Sequence, residues 1–151
     1  MRTWFYLVVL TVLAPGSAGA SPPLLGAEQC GSCHPSQYAQ WRTTAHARAE
    51  TRLLGAQRRD PHCTSCHSPA ARDGHVGVQC EACHGNGRNY WPAEIMKDVA
   101  LARAVGLRTG GEEYMCRQCH QDEKAGGGHF DYATALKAVV HGPATPKGVR
   151  P

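Results

Sequence analysis

Three stretches of the chain have the apolar spacing of amphipathic helices, separated by long polar or glycine-rich connections. Residues 35–54 form the longest. Tyr38, Trp41 and Ala45 recur there at i, i+3 and i+7, and Pro35 suits a first-turn position. Residues 92–105 carry a modest stripe of Ile95, Val99 and Ala102, with Pro92 near the start and Gly106 placed to end the helix. Asp131 can cap a third helix, in which Tyr132, Ala135, Leu136, Val139 and Val140 make the apolar face and Gly142-Pro143 the stop. Residues 55–61 are polar and basic. Residues 68–79 mix Pro, Gly and Asp and read as loop, and Gly126-Gly127-Gly128 reads as a turn. No stretch has the alternation of a strand. The pattern predicts a mostly α fold with long loops and a loose C-terminal tail.

One further apolar run, residues 4–13, lies behind Arg2 and ahead of Ala18-Gly19-Ala20. Charge, short apolar segment and small residues in that order read as a secretory signal peptide, residues 1–20, removed after Ala20. The run is too short to span a bilayer as a helix, and no later segment is long or apolar enough to do so. The expectation is export to the periplasm and a mature chain of residues 21–151, short enough for one domain.

Composition complicates that domain. After Ala20 the chain holds 16 Leu, Ile, Val and Phe in 131 residues, about 12%. An ordinary globular core needs roughly 20%. Either the chain does not fold or something other than side chains supplies the core. Charge adds little. Without Arg2 there are 15 basic and 12 acidic residues, interspersed, with Arg58-Arg59 the only basic doublet. That is a solvated surface, with no stripe for nucleic acid.

Cysteine decides the matter. All eight cysteines fall into four pairs of one spacing, each followed directly by histidine: Cys30-Cys33-His34, Cys63-Cys66-His67, Cys80-Cys83-His84 and Cys116-Cys119-His120. Two thiols three positions apart can each add to a vinyl group of one porphyrin, and the adjoining histidine reaches the iron from one face. Zinc ribbons would not explain a histidine after every second cysteine. A thioredoxin-like site expects one pair near a βαβ pattern. Pairs this close are poor structural disulfides. Four covalently held haem c groups also resolve the composition. The expected fold is a small multihaem cytochrome c wrapped around four macrocycles.

Five histidines remain for the far faces of the irons. His46 stands twelve residues beyond His34, about 18 Å along a continuous helix. It therefore serves another haem than the first, or is a surface residue. His141 closes the third helix and is a ligand or a charge complement to the helix dipole. His62 abuts Cys63 on the attached side of its own haem and reads as a non-ligand. His75 and His129 stand in loops and could reach an iron.

The segments around residues 30–49, 77–90 and 116–141, with "CGSCHPSQYAQWRTTAHARA", "GVQCEACHGNGRNY", and "CRQCH" followed by "FDYATALKAVVH", resemble the tetrahaem cytochrome c-554 family over nearly all of the mature chain. The resemblance implies a helical tetrahaem fold with stacked haem pairs. It implies a periplasmic electron carrier that accepts electrons from a hydroxylamine-oxidoreductase-like multihaem enzyme. It also implies His46 opposite His84 on the third haem, His141 opposite His120 on the fourth, and no protein sixth ligand on the His67 haem. One position departs. The family pattern has a histidine ten residues after the third motif, for the first haem, where this chain has Glu94. Met96 follows two residues later. Its thioether can bind haem iron and raise the potential, or it packs beside Ile95 and Val99.

The leading expectation is a carrier between a redox protein donor and acceptor, the acceptor being for instance a membrane quinone-linked cytochrome. Two alternatives stand beside it. One is an enzyme acting on a small nitrogen oxide or peroxide at a five-coordinate His67 haem, with Arg72, Asp73 and His75 supplying charge or protons. The other is a haem subunit of a larger redox complex.

Overall fold

The computed structural model describes residues 23–121 and 128–142. The expected signal peptide, most of the triple-glycine turn and the expected C-terminal tail lie outside them. Among the described residues the regular structure is helical, in short pieces and without strands: α1 (Ala27–Gly31), α2 (Pro35–Thr43), α3 (Pro61–His67), α4 (Glu81–His84), α5 (Ala93–Met96), α6 (Val99–Ala104), α7 (Glu113–Cys116) and α8 (Tyr132–Val139). Single 3-10 turns occupy Ala49–Arg52, Gly55–Arg59, Ala71–Asp73 and Gly87–Asn89. No helix among the described residues is long and apolar enough to cross a membrane.

Two of the expected helices are shorter than their periodicity implies, and each has a local cause. The helix from Pro35 ends at Thr43, far short of Leu54. The Thr43 hydroxyl donates to the Gln40 carbonyl and that of Thr44 to the Trp41 carbonyl, both at 2.7 Å. Adjacent threonines so engaged loosen the helix, and Thr44 turns extended, with ψ 162°. The stretch expected over residues 92–105 breaks at Asp98, which leaves the helical region and accepts the Leu101 N–H at 3.0 Å. An N-cap there starts α6 as a separate helix. The third helix matches its expected start, with the Asp131 carboxylate on the Thr134 N–H at 2.8 Å.

The protein core is slight. The buried apolar residues are Ala27, Leu53, Ala70, Tyr90, Ala102 and Met115, three of them alanines. Neither α2 nor α8 buries a residue. Polar bridges carry much of the cohesion instead. The buried Glu81 carboxylate accepts backbone N–H groups from Leu25, Gly26 and Gly87 at 2.8–3.1 Å. Gln79 Oε1 accepts from the Ala27 N–H at 2.8 Å, and the Trp41 indole donates to the Val78 carbonyl at 2.9 Å. These contacts lay the first motif, in α1, against the third, in α4. The 3-10 turns at Ala49–Arg52 and Gly55–Arg59 pack on α3, and α1 packs on α2.

Candidate haem-binding site

Each C-x-x-C-H motif lies on one turn of helix. The histidine N–H bonds back to the first cysteine's carbonyl, from His34 to Cys30 at 2.9 Å, from His84 to Cys80 at 3.0 Å and from His120 to Cys116 at 2.9 Å. The second motif lies wholly inside α3, where Asp60 caps the start by accepting the His62 N–H. Residues i, i+3 and i+4 of a helical turn share a face. Both thiols and the imidazole of each motif therefore address one side of the turn.

Two of these histidines have their outer nitrogen engaged. His67 Nδ1 lies 2.9 Å from the Ala49 carbonyl and His84 Nδ1 lies 3.1 Å from the Arg108 carbonyl. A carbonyl partner places the proton on Nδ1 and leaves the Nε2 lone pair for a metal. Gly110 passes close to the His84 ring, and a Cβ added there would stand 3.0 Å from it.

The distal histidines approach the motifs in pairs. The rings of His46 and His120 have centroids 6.0 Å apart at an interplanar angle of 49°, and those of His84 and His141 are 5.7 Å apart at 39°. Two imidazoles bound trans to one metal at about 2 Å each place their centroids roughly 6 Å apart. The pairs thus have the spacing of axial ligands sharing an iron. The rings that lie close are not those that the resemblance pairs, His46 with His84 and His141 with His120. Because α2 stops at Thr43, His46 does not continue a rigid rod. It sits on a turn whose carbonyl accepts the Val78 N–H at 2.9 Å, and its ring faces the fourth motif. Phe130 stacks on His120 at 4.7 Å, and the Arg117 guanidinium lies over Phe130.

Burial disfavours the charged form of two of the imidazoles. Burial, then the neighbouring His84 and His141, hold His34 below the ordinary histidine value. Burial, then His120, do the same to His46.

The thiols show which motifs adjoin. Cys30 and Cys80 hydrogen-bond to each other, which lowers Cys30 and raises Cys80 well above the usual thiol range. Burial and a hydrogen bond with Cys66 push Cys119 up to about 12. Burial, then the charge of Cys116, raise Cys83. The motifs are therefore neighbours in the order first, third, fourth, second. No disulfide joins the cysteines. Among the described residues, no three His, Cys, Asp or Glu side chains converge as a chelating cluster. The donor set is one thiol pair and one imidazole per turn, with a second imidazole close by at the third and fourth motifs, which fits covalent haem and not a zinc ribbon.

Other expected residues are placed as follows. Met96 is half-buried at the end of α5. The turn Gly87–Asn89 ahead of α5 is tied to the N-terminal segment, because Gly87 shares the Glu81 carboxylate with Leu25 and Gly26 and Arg88 donates to the Pro23 carbonyl. Asp73 Oδ2 accepts the Leu24 N–H and His75 Nε2 bonds to the Leu24 carbonyl, so both are engaged with the N-terminal segment. Arg72 alone of that trio lines a cavity beside α3, about 270 Å³ in volume. Glu81, Tyr90 and Phe130 support the site and were not singled out from sequence. Tyr90 donates to the carbonyls of His84 and Gly85, both at 3.0 Å. A glutamate inside a motif has no sequence signature of burial, since two of its three partners lie more than 50 residues away.

The family model described as "Cytochrome c554 and c-prime" matches residues 29–85. Cytochrome c-554 of Nitrosomonas europaea is 25% identical to this chain over 167 aligned positions, covering 91% of this chain and 71% of that protein. No solved structure matches. Together with the helical motif turns, these matches make the chain similar to the cytochrome c-554 family, and support an electron-transfer protein with covalently bound haem c.

Proposed function

We propose that the protein is an exported tetrahaem cytochrome that carries electrons between redox partners. Residues 1–20 are its signal peptide, and residues 21–151 form one haem-bearing domain in the periplasm. The observation that carries this reading is the pairing of His46 with His120 and of His84 with His141 at axial-ligand spacing, on motifs that are each a single helical turn.

In this reading Cys30, Cys33, Cys63, Cys66, Cys80, Cys83, Cys116 and Cys119 form the thioether bonds. His34, His67, His84 and His120 are the proximal ligands. His46 completes the fourth site, His141 the third, and Met96 the first. Haem iron supplies reversible one-electron chemistry. The Ala49 and Arg108 carbonyls fix the tautomers of His67 and His84. A chain of adjoining sites lets an electron enter at one end and leave at the other. The donor is a multihaem enzyme of the hydroxylamine-oxidoreductase type, and the acceptor a quinone-linked cytochrome.

Haem quantification against protein mass should return four per chain with no titratable thiol. Fewer haems, or a free thiol pair, would overturn the tetrahaem reading. In EPR, His46→Ala should convert one low-spin haem to high-spin, and His141→Ala a different one. Loss of the near-infrared Met–iron band in Met96→Leu tests the first site.

A further inference from the structure

The formal charge of +4 is confined to one part of the molecule. Residues 42–72 hold six arginines, Arg42, Arg48, Arg52, Arg58, Arg59 and Arg72, against two acids, Glu50 and Asp60. The other 120 residues hold ten basic and ten acidic groups and are neutral. Along the chain the arginines look interspersed. In the fold four of the six, Arg52, Arg58, Arg59 and Arg72, stand on segments around one helix. The turns Ala49–Arg52 and Gly55–Arg59 pack on α3, and Arg72 lines the cavity beside α3 with Thr64 and Ser65.

All six arginines are exposed. The Arg42 guanidinium lies over the Tyr38 ring, and none of the six is in an ion pair within the described residues, where the one such pair is Arg117–Glu113. Arg48 and Arg58 each give one hydrogen bond to a backbone carbonyl, of Arg42 and Leu53. Such bonds orient a guanidinium and leave most of its donors outward. Asp60 is committed to the α3 N-cap. Leu54 projects among these residues at 73% exposure. A small apolar point ringed by arginines is the anatomy of a transient, steered interface, and guanidinium forks suit carboxylates. Directly beneath, α3 carries Cys63, Cys66 and His67.

We propose that this arginine-ringed face is the docking surface for an acidic redox protein, and that electrons cross there at the second motif. The inference rests on the electron-carrier reading and adds to it the partner's chemistry and the port. An aqueous rim of like charges raises the encounter rate with an acidic partner and is screened beyond about 10 Å at 0.1 M salt. Membrane lipid is the less suitable occupant, since one exposed leucine offers little to insert.

The test uses the haem-loaded protein and reduced flavodoxin, a small acidic one-electron donor, in stopped flow. The wild-type bimolecular rate should fall as salt is raised. Arg52→Glu/Arg59→Glu spares the Arg48 and Arg58 hydrogen bonds and should slow the reaction about tenfold or more at low salt, with a flattened salt dependence. Lys97→Glu/Arg103→Glu makes the same charge change elsewhere and should stay near wild type. Should the double variant lose haem, Arg52→Gln and Arg59→Gln singly should each reduce the salt slope.

Equal loss in the two double variants, or none in the first, overturns the docking surface and leaves the carrier intact. So does sedimentation of wild type, but not of Arg52→Glu/Arg59→Glu, with phosphatidylglycerol vesicles while flavodoxin rates are equal. If wild type exchanges electrons with neither flavodoxin nor a basic cytochrome, though dithionite reduces its haems, the carrier reading itself falls.

Discussion

Between Cys80 and Cys83, Glu81 buries a carboxylate that no nearby cation neutralises; three backbone N–H groups do so instead. A buried carboxylate is tolerable only when its lone pairs are met this way. Because two of those donors precede the first motif, the side chain fixes the first motif against the third. Glu81→Ala leaves three donors facing no acceptor and should cost about 3 kcal/mol of stability, read from the denaturant midpoint of the loaded protein. A change below about 0.5 kcal/mol would show that water replaces the carboxylate without loss. Histidine bears on pH at the same scale. His34 and His46 are both held below their ordinary value, by burial first, so near neutrality their ring nitrogens are available to iron rather than protonated. Acid competes with iron for such ligands, so the low-spin haem signals of the loaded protein should persist near neutrality and be lost only well below about pH 6. Conversion of haems to high-spin near neutrality would contradict the assignment of neutral imidazoles.

The elements are short because tertiary demands interrupt them. Apolar periodicity marked three helices, and each begins where Pro35, Pro92 or Asp131 indicated, within a residue. Their ends were not legible in two cases. Hydroxyl groups at Thr43 and Thr44, and a cap at Asp98, compete with continuation, and their effect depends on where the chain must go next. Glycine shows the same pressure. Gly85 follows His84 directly at φ +81°, and a Cβ there would stand 2.5 Å from the Gly106 carbonyl oxygen. Gly85→Ala should therefore cost about 2–3 kcal/mol and loosen the third motif. Haem content and the spin state of the His84 site would report it. An alanine variant as stable as wild type would mean that the residue 106 segment yields easily.

At the scale of the molecule, the six buried apolar residues found among the described ones, three of them alanines, cannot offset the conformational entropy of fixing about 110 residues. The covalent cofactors must contribute the missing burial. A chain with all eight cysteines changed to serine should lack a cooperative thermal transition by circular dichroism, whereas the loaded protein should show one. A cooperative fold in the serine chain would overturn this account.

Local chemistry made the four motifs, the helical class and the cofactor readable in one dimension, because Cys-x-x-Cys-His and a capped apolar stripe are contiguous signals. His46 and His141 were also recognisable as candidate ligands. Their partners were not. Which imidazole meets which motif depends on where α2 stops and how residues 46–47 settle against Gly77, contacts between segments some 30 residues apart. Nor could spacing reveal Glu81 as a brace, or that scattered arginines converge around α3. The sequence by itself determined the four motifs and the type of turn that presents them. Only the tertiary structure decided which histidine rings lie close, which motifs adjoin and which arginines stand around α3, since those follow from distances across the fold.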